Sequence, residues 1–233
     1  MVYFDFDWGV HRGWKVRQEG EAWMHMGEAV QVVRYILPVK SFTQRYASLQ
    51  GFLDNWIQFT GDLVKVMEDK QVVTIVIDTA TTEWDLCKDA YLEDIQRNQK
   101  PGTPPRRQLL QSEYGEPNRR QQGRFDLARA YRKNLVIVQH ETDEYQPLVI
   151  AGHVQVDDQG QPRSAPSGKR VPDGFRRTEA LLDWLFRAKV SEPGKKAKFT
   201  IRKSAAGVDL VGMGFEEFSY PILCQRLRQM ERL

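Results

Sequence analysis

Residues 71–85, QVVTIVIDTATTEWD, decide how the rest of the chain is read, because they hold its most apolar strand-like run and close it on a carboxylate. Val72, Val73, Ile75, Val76 and Ile77 are β-branched and nearly continuous. Such a run suits a strand buried on both faces of a parallel sheet, whereas a half-wet hairpin strand would alternate apolar with polar residues. Asp78 stands where that strand leaves the sheet. In open α/β sheets the carboxyl ends of the strands line the ligand crevice, so an acid there can hold a metal or a water against a phosphate. Asp78 and Thr79 are equally ordinary starters for the helix that TEWDLCKDAYLEDIQ predicts. Both readings stand at this point.

Composition bounds the rest. The chain has 233 residues, 41% hydrophobic and 28% charged, enough to bury a full core, and one α/β domain over residues 1–233 is the expectation. A net charge of +3 is only mildly basic, so any nucleic-acid contact must come from local clusters. Cys87 and Cys224 lie far apart without CxxC or Cys/His spacing, which argues against a disulfide framework and a structural zinc site and fits a reducing cytosol. No apolar run is long enough for a bilayer, and MVYFDFDWG lacks signal-peptide character, so a soluble cytoplasmic protein is expected.

Outward from the central strand, Val2 to Phe6 reads as a short strand followed by Asp5, Asp7, Trp8 and Gly9 at its carboxyl end. QVVRYILPV, residues 31–39, predicts another strand closed by Pro38. Ser41 can cap a long helix whose apolar stripe runs from Phe42 through Trp56 to Met67, weakened at Gly51 and Gly61. A helix is also expected to about Arg97. Residues 98–124 are rich in Pro, Gly, Gln and Arg and predict a long mobile loop, basic through Arg106, Arg107, Arg119, Arg120 and Arg124. Such arginines belong either to a solvated loop or to a phosphate-backbone contact.

Residues 125–133 read as a helix, and LVIV, residues 135–138, as a third buried strand ending in Gln139, His140 and Glu141. A lone His after a strand is commonly structural, but His140 would share a sheet edge with Asp78. Residues 141–178 predict a second mobile basic loop, with a possible hairpin over 148–156 and with Lys169, Arg170, Arg176 and Arg177. In residues 180–190 the alternation of Leu182, Trp184, Phe186 and Ala188, answered by FTIRKS, predicts an antiparallel hairpin. SYPILCQRLRQMERL closes the chain as a short helix.

This order of pieces resembles the RecA-type P-loop NTPase core, in particular the compact RecA-like, AAA-type ATP-binding proteins of bacteriophages and prophages, over most of the chain. The resemblance implies a mostly parallel sheet flanked by helices with a C-terminal antiparallel hairpin, ATP and Mg²⁺ as cofactors, and a homo-oligomer acting on single-stranded DNA in recombination or replication. VYFDFDWG would put Asp7 at the acid that activates water. TIVIDTAT is similar to the Walker B strand, with Asp78 and Thr79 at the nucleotide and Asp78 holding magnesium through water. LVIVQH would supply the γ-phosphate sensor, His140 or Gln139. KFTIRKSAAG would bring Arg202 or Lys203 to a neighbouring subunit's nucleotide, and the two basic stretches would be the DNA loops.

One element departs from the family. No GK[ST] tripeptide occurs, Gly168-Lys169-Arg170 and Gly194-Lys195-Lys196 both lacking the hydroxyl, so the Walker A loop that should precede Asp7 is expected to lie before Met1. Two alternatives stand beside the ATPase. One is a non-catalytic DNA-binding or assembly module with a degenerate nucleotide site. The other is a nuclease with Asp5, Asp7, Asp78, Glu83 and Asp85 around two metals.

Overall fold

A computed structural model describes residues 1–6, 17–19, 22–25, 28–34, 51–156, 162–189 and 197–216, together with Gln225 and Arg228. The chain divides into two compact units, Met1–Arg176 and Arg177–Leu233, where its composition leads one to expect a single domain. The architecture is mixed α/β, with parallel and antiparallel strands.

In the first unit, β1 (Val2–Asp5) lies between β4 (Glu28–Arg34) and β5 (Thr74–Asp78), parallel to both, and β6 (Asn134–Val138) runs parallel to β5 on its far side. Two short antiparallel strands, β2 (Arg17–Glu19) and β3 (Ala22–His25), extend the sheet beyond β4, giving the order β2-β3-β4-β1-β5-β6. In the central run Ile75, Val76 and Ile77 are all buried as expected, but the strand begins at Thr74, and Val73, just before it, is 61% exposed. Of the 31–39 run, residues 31–34 belong to β4 and the rest lie outside the described residues.

Side chains alternate across a strand. Phe4 and Phe6 therefore share one face of β1 and meet Phe59 at ring separations of 5.5 and 5.1 Å. Phe59 belongs to α1 (Phe52–Glu68), whose apolar stripe Phe52, Trp56, Phe59, Leu63 and Val66 is buried. Gly51, at φ 82°, stands just before this helix in the left-handed backbone region that glycine tolerates. The part of the expected helix before Gly51 lies outside the described residues.

α2 (Ala80–Arg97) follows β5 without a break and is fastened at two depths. Near its end Glu93, fully buried, accepts from Gly51 N (3.1 Å) and Leu53 N (2.9 Å), so a carboxylate sits on the open amides of α1. Near its start Glu83, also fully buried, accepts from Gln121 Nε2 at 2.7 Å and forms an ion pair with Arg124. Gln121 and Arg124 belong to α3 (Gly115–Ala130).

α3 corrects the expectation of a mobile loop over residues 98–124, since residues 115–124 are helical. Pro117 falls in its first turn, where the missing N–H costs nothing, and the buried side of the helix is built from Gln121, Arg124, Phe125 and Ala128. In the second stretch the described residues, 141–156 and 162–172, are likewise largely in strands. β7 (Glu141–Pro147) pairs antiparallel with β10 (Ser164–Pro172), and between them β8 (Val149–Ile150) and β9 (His153–Val154) form the small hairpin foreseen there.

In the second unit, β11 (Trp184–Lys189), β12 (Lys198–Ser204) and β13 (Gly214–Phe215) make an antiparallel sheet, with a short helix α4 (Thr178–Leu181) before it. Ile201, Leu210 and Phe215 form its buried core against Trp184, Phe186 and Phe199. The closing helix expected over residues 219–233 lies outside the described residues, Gln225 and Arg228 excepted. Among the described residues no helix is long and apolar enough to cross a membrane.

Removing one partner of a buried ion pair strands the other charge away from water, a change that costs about 3–5 kcal/mol. Arg124→Met is therefore expected to lower the unfolding free energy by about that amount in urea titration. Arg119→Met, five residues away on the same helix and on a side chain that is 77% exposed, is expected to change it by less than about 1 kcal/mol.

Candidate functional site at the carboxyl edge of the sheet

The strands that carry the acids are neighbours. Asp5 of β1 is in register with Asp78 of β5, Asp78 with Val138 of β6, and Asp5 on its other side with Arg34 of β4. Two acids thus stand side by side at the carboxyl ends of adjacent parallel strands. By strand alternation they share the face of Tyr3 and Val76, opposite to the face that meets Phe59. The Tyr3 hydroxyl donates to Asp78 Oδ2. Asp78 is half-buried and Asp5 fully buried. The Phe6 N–H donates to the Asp78 carbonyl at 2.6 Å and carries the contact between the two chain paths past the end of β1. Asp7 lies outside the described residues.

Helix α2 starts from this rim. Thr79 is its N-cap, accepting from Thr82 N at 3.3 Å, and so performs the capping role the sequence allowed. One residue on, Thr81 Oγ1 accepts from the His140 N–H at 3.0 Å and donates to the Asp173 carbonyl at 2.9 Å. Gln139 Nε2 donates to that same carbonyl at 3.2 Å, and Asp173 N returns a bond to the His140 carbonyl at 2.7 Å. The ends of β6 and β10 and the start of α2 are thereby tied into one polar knot beside Asp78. Gly174 stands at φ 134°, and a Cβ there would come within 2.8 Å of Gln139 Nε2, so only glycine lets the chain pass so near the amide. His140 is exposed and Gln139 half-buried.

β6 departs from expectation in burial. It is the edge of the sheet, with Val136 46% and Val138 40% exposed, because LVIV is as apolar as a central strand but has a neighbour on one side only.

The arginines expected to meet DNA are largely occupied by nearby acids. Arg106 holds Glu113 through two bonds of 3.0 and 2.9 Å and keeps that carboxyl below its ordinary range. Arg119 and Arg120 share Glu116, which the two hydrogen bonds likewise hold low, and Arg120 also lies over the Tyr91 ring at 5.3 Å. Arg124 is 3% exposed and cannot meet a phosphate backbone, because it is the buried partner of Glu83. Arg107 is exposed. In the second stretch Arg170 reaches Asp143 Oδ1 at 3.2 Å and the Glu141 carbonyl at 2.7 Å, while Lys169, Arg176 and Arg177 are exposed. In the second unit Lys203 Nζ donates to the Glu179 and Ala180 carbonyls at 2.8 and 3.3 Å, satisfying the end of α4, and Arg202 is exposed.

The nuclease grouping does not assemble. Glu83 faces α3, and Asp85 is exposed with Lys88 at 2.7 Å. Among the described residues no group of three or more His, Cys, Asp or Glu side chains is arranged to hold a metal.

Around the Glu83 pair, burial outweighs the pull of Arg124 and Gln121 and pushes the Glu83 carboxyl above its ordinary range. Cys87, buried one turn further on, is pushed up to about 12, first by burial and then by Glu83, so its thiol stays protonated and inert at neutral pH. Sequence reasoning missed Gln121, Thr81 and Asp173, whose partners lie 33 to 92 positions away along the chain.

No protein-family model matches this chain, and neither a curated protein nor a solved structure matches it.

Thr81→Val keeps the shape of the side chain and deletes both of its bonds in the knot, leaving the His140 amide and the Asp173 carbonyl each short of a partner. A loss of about 1–3 kcal/mol is expected in denaturant unfolding, together with faster amide exchange at His140.

Proposed function

We propose that this chain is a RecA-like ATP-binding protein of the phage type, an ATPase that assembles as a homo-oligomer and acts on single-stranded DNA in the cytoplasm. The observation that carries the reading is the register of Asp5 and Asp78 on neighbouring parallel strands, with Gln139 and His140 at the end of the next strand along. An acid-ended strand beside a polar-ended one, at the carboxyl edge of a parallel sheet, is where this architecture binds ligands.

The residues at hand were weighed against each group the reading needs. Magnesium keeps several waters and takes one or two carboxylates plus substrate phosphates, so it does not require a three-residue cage. Asp78, half-buried and steadied by Tyr3, with Asp5 beside it, fits that mode. Two acids in register also disfavour each other, which a cation would relieve. The phosphate cradle is a different matter, since no GK[ST] tripeptide occurs in these 233 residues. The chain therefore carries the acid and sensor side of such a site.

When bound, magnesium neutralises charge on the nucleotide phosphates. Asp78 would hold the metal's water ligands, and Asp7, outside the described residues, would be the acid to orient a water and take its proton. His140, or Gln139 if its amide left the Asp173 carbonyl, would donate to the γ-phosphate, and Arg202, exposed on β12, would offer a cation to the nucleotide of a neighbouring copy. Lys203, committed to the α4 carbonyls, is the weaker candidate for that role.

The missing GK[ST] favours a second reading, a module that binds DNA or assembles without turnover. Asp78→Asn separates the two. On the ATPase reading it weakens Mg²⁺-dependent binding of a fluorescent ATP analogue about 10–100-fold, as loss of an outer-shell metal partner does, and abolishes DNA-stimulated hydrolysis. Equal nucleotide binding by wild type and variant, or none by either, together with intact DNA binding, would establish the module instead.

A further inference from the structure

A further concentration of positive charge in the sequence lies in the second unit, outside both stretches first expected to meet DNA. Residues 184–204 hold seven Lys and Arg against one acid, Glu192. In residues 141–172, by contrast, Glu141, Asp143, Glu144, Asp157 and Asp158 outnumber Arg163, Lys169 and Arg170.

The register of β11 and β12 sorts the hairpin into two faces. Phe186 opposes Ile201 and Ala188 opposes Phe199, and these Phe and Ile side chains belong to the unit's core. Arg187 opposite Thr200 and Lys189 opposite Lys198 must then occupy the other face. Lys189 and Lys198 are both exposed, and among the described residues neither has a carboxylate partner. Two lysines directly opposite each other on one sheet face, with Cβ atoms about 4.5–5.5 Å apart, repel, and the arrangement is unfavourable unless an anion lies between them. The stem of Lys198 crosses the neighbouring strand at Gly214, where a Cβ would come within 3.2 Å of its Cε. Arg202, the extra residue at the irregularity between Leu185 and Phe186, is exposed further along β12. Positive groups thus recur on both strands: Arg187 and Lys189 lie one two-residue step, about 7 Å, apart on β11, and Arg202 follows Lys198 four residues on along β12.

We propose that this face, centred on Lys189 and Lys198, is a docking surface for the phosphate backbone of single-stranded nucleic acid. Charge complementarity selects a polyanion, because repeated cations along a strand match repeated phosphates. An anionic membrane is the poorer match, since amphipathic membrane docking needs apolar side chains beside the basic ones and here those face the core. The proposal deepens the DNA reading above and rests on it for the identity of the strand, while the anion surface itself needs no nucleotide.

The test uses the full chain without ATP and a fluorescent oligo-dT, with affinity followed by anisotropy across a salt series. K189A/K198A is expected to bind severalfold more weakly at low salt and to flatten the slope of log K against log salt by about 1.4, close to 0.7 for each lost phosphate contact on a single strand. K189R/K198R, which keeps both charges, is expected to retain the wild-type slope. An unchanged slope in the alanine pair would overturn the proposal, as would an equal loss in the arginine pair. Binding to phosphatidylserine vesicles that is tighter than to the oligonucleotide and lost in the alanine pair would assign the face to membranes and overturn it too. Failure of ATP binding alone leaves these expectations standing, so the two readings fail separately.

Discussion

Glu83 and Arg124 meet between two helices where no water screens them, and the carboxyl rim of the sheet takes its position from that contact. α2 begins immediately after Asp78, so any slide or rotation of this helix moves Thr79, Thr81 and the end of β5 together. An apolar seam between α2 and α3 would bury as much surface and tolerate several registers. An ion pair completed by Gln121 is satisfied in one register only, because a shift would leave a carboxylate and a guanidinium buried apart. Arg124 Nε and Nη2 still lack partners, so the contact is not the most stabilising one the site could hold. Its contribution is specificity of alignment. Glu93 does for the α1 end of α2 what Glu83 does for the α3 end.

The same economy governs the other arginines of this stretch. Arg106, Arg119, Arg120 and Arg124 each have a named carboxylate, and in three of the four pairs the acid lies within seven positions of its arginine. Local pairing of this kind consumes charge that composition alone would assign to a ligand. The overall charge of +3 is therefore unevenly spent, with the first unit's helical region largely balanced and the β11–β12 hairpin left positive.

What could be read from the residues follows from range. The run ending at Asp78 is legible because six β-branched residues in succession, Val72 to Ile77, have few other uses, and the β11–β12 hairpin because alternation over two runs has a period of its own. β6 was legible as a strand but not as an edge, since LVIV describes the strand's own faces and says nothing of how many neighbours it has. α3 was illegible because its buried side is Gln, Arg, Phe and Ala, with Pro at its start. Apolar periodicity never rises above the polar background there, and the partner that makes Arg124 a core residue lies 41 positions back in the sequence. The rim shows the same division. Asp78 and His140 could be named from strand endings, but Thr81, Asp173 and Gly174 join them only through the path of β10.

That path also explains how an edge strand can present ordered polar groups. Among the described residues β6 has ladder pairing from β5 alone, and an edge held on one side frays more readily than a central strand. Its end is held instead by three bonds that converge on Thr81 and the Asp173 backbone, with Gly174 permitting the approach. Two of those contacts use backbone groups of residue 140 and leave its imidazole uncommitted to the fold. Gln139 spends its amide on the Asp173 carbonyl in the same arrangement. Adjacent residues of the rim are thus held differently: Gln139 closes the knot with its side chain, while His140 is fixed by its main chain and keeps its side chain exposed.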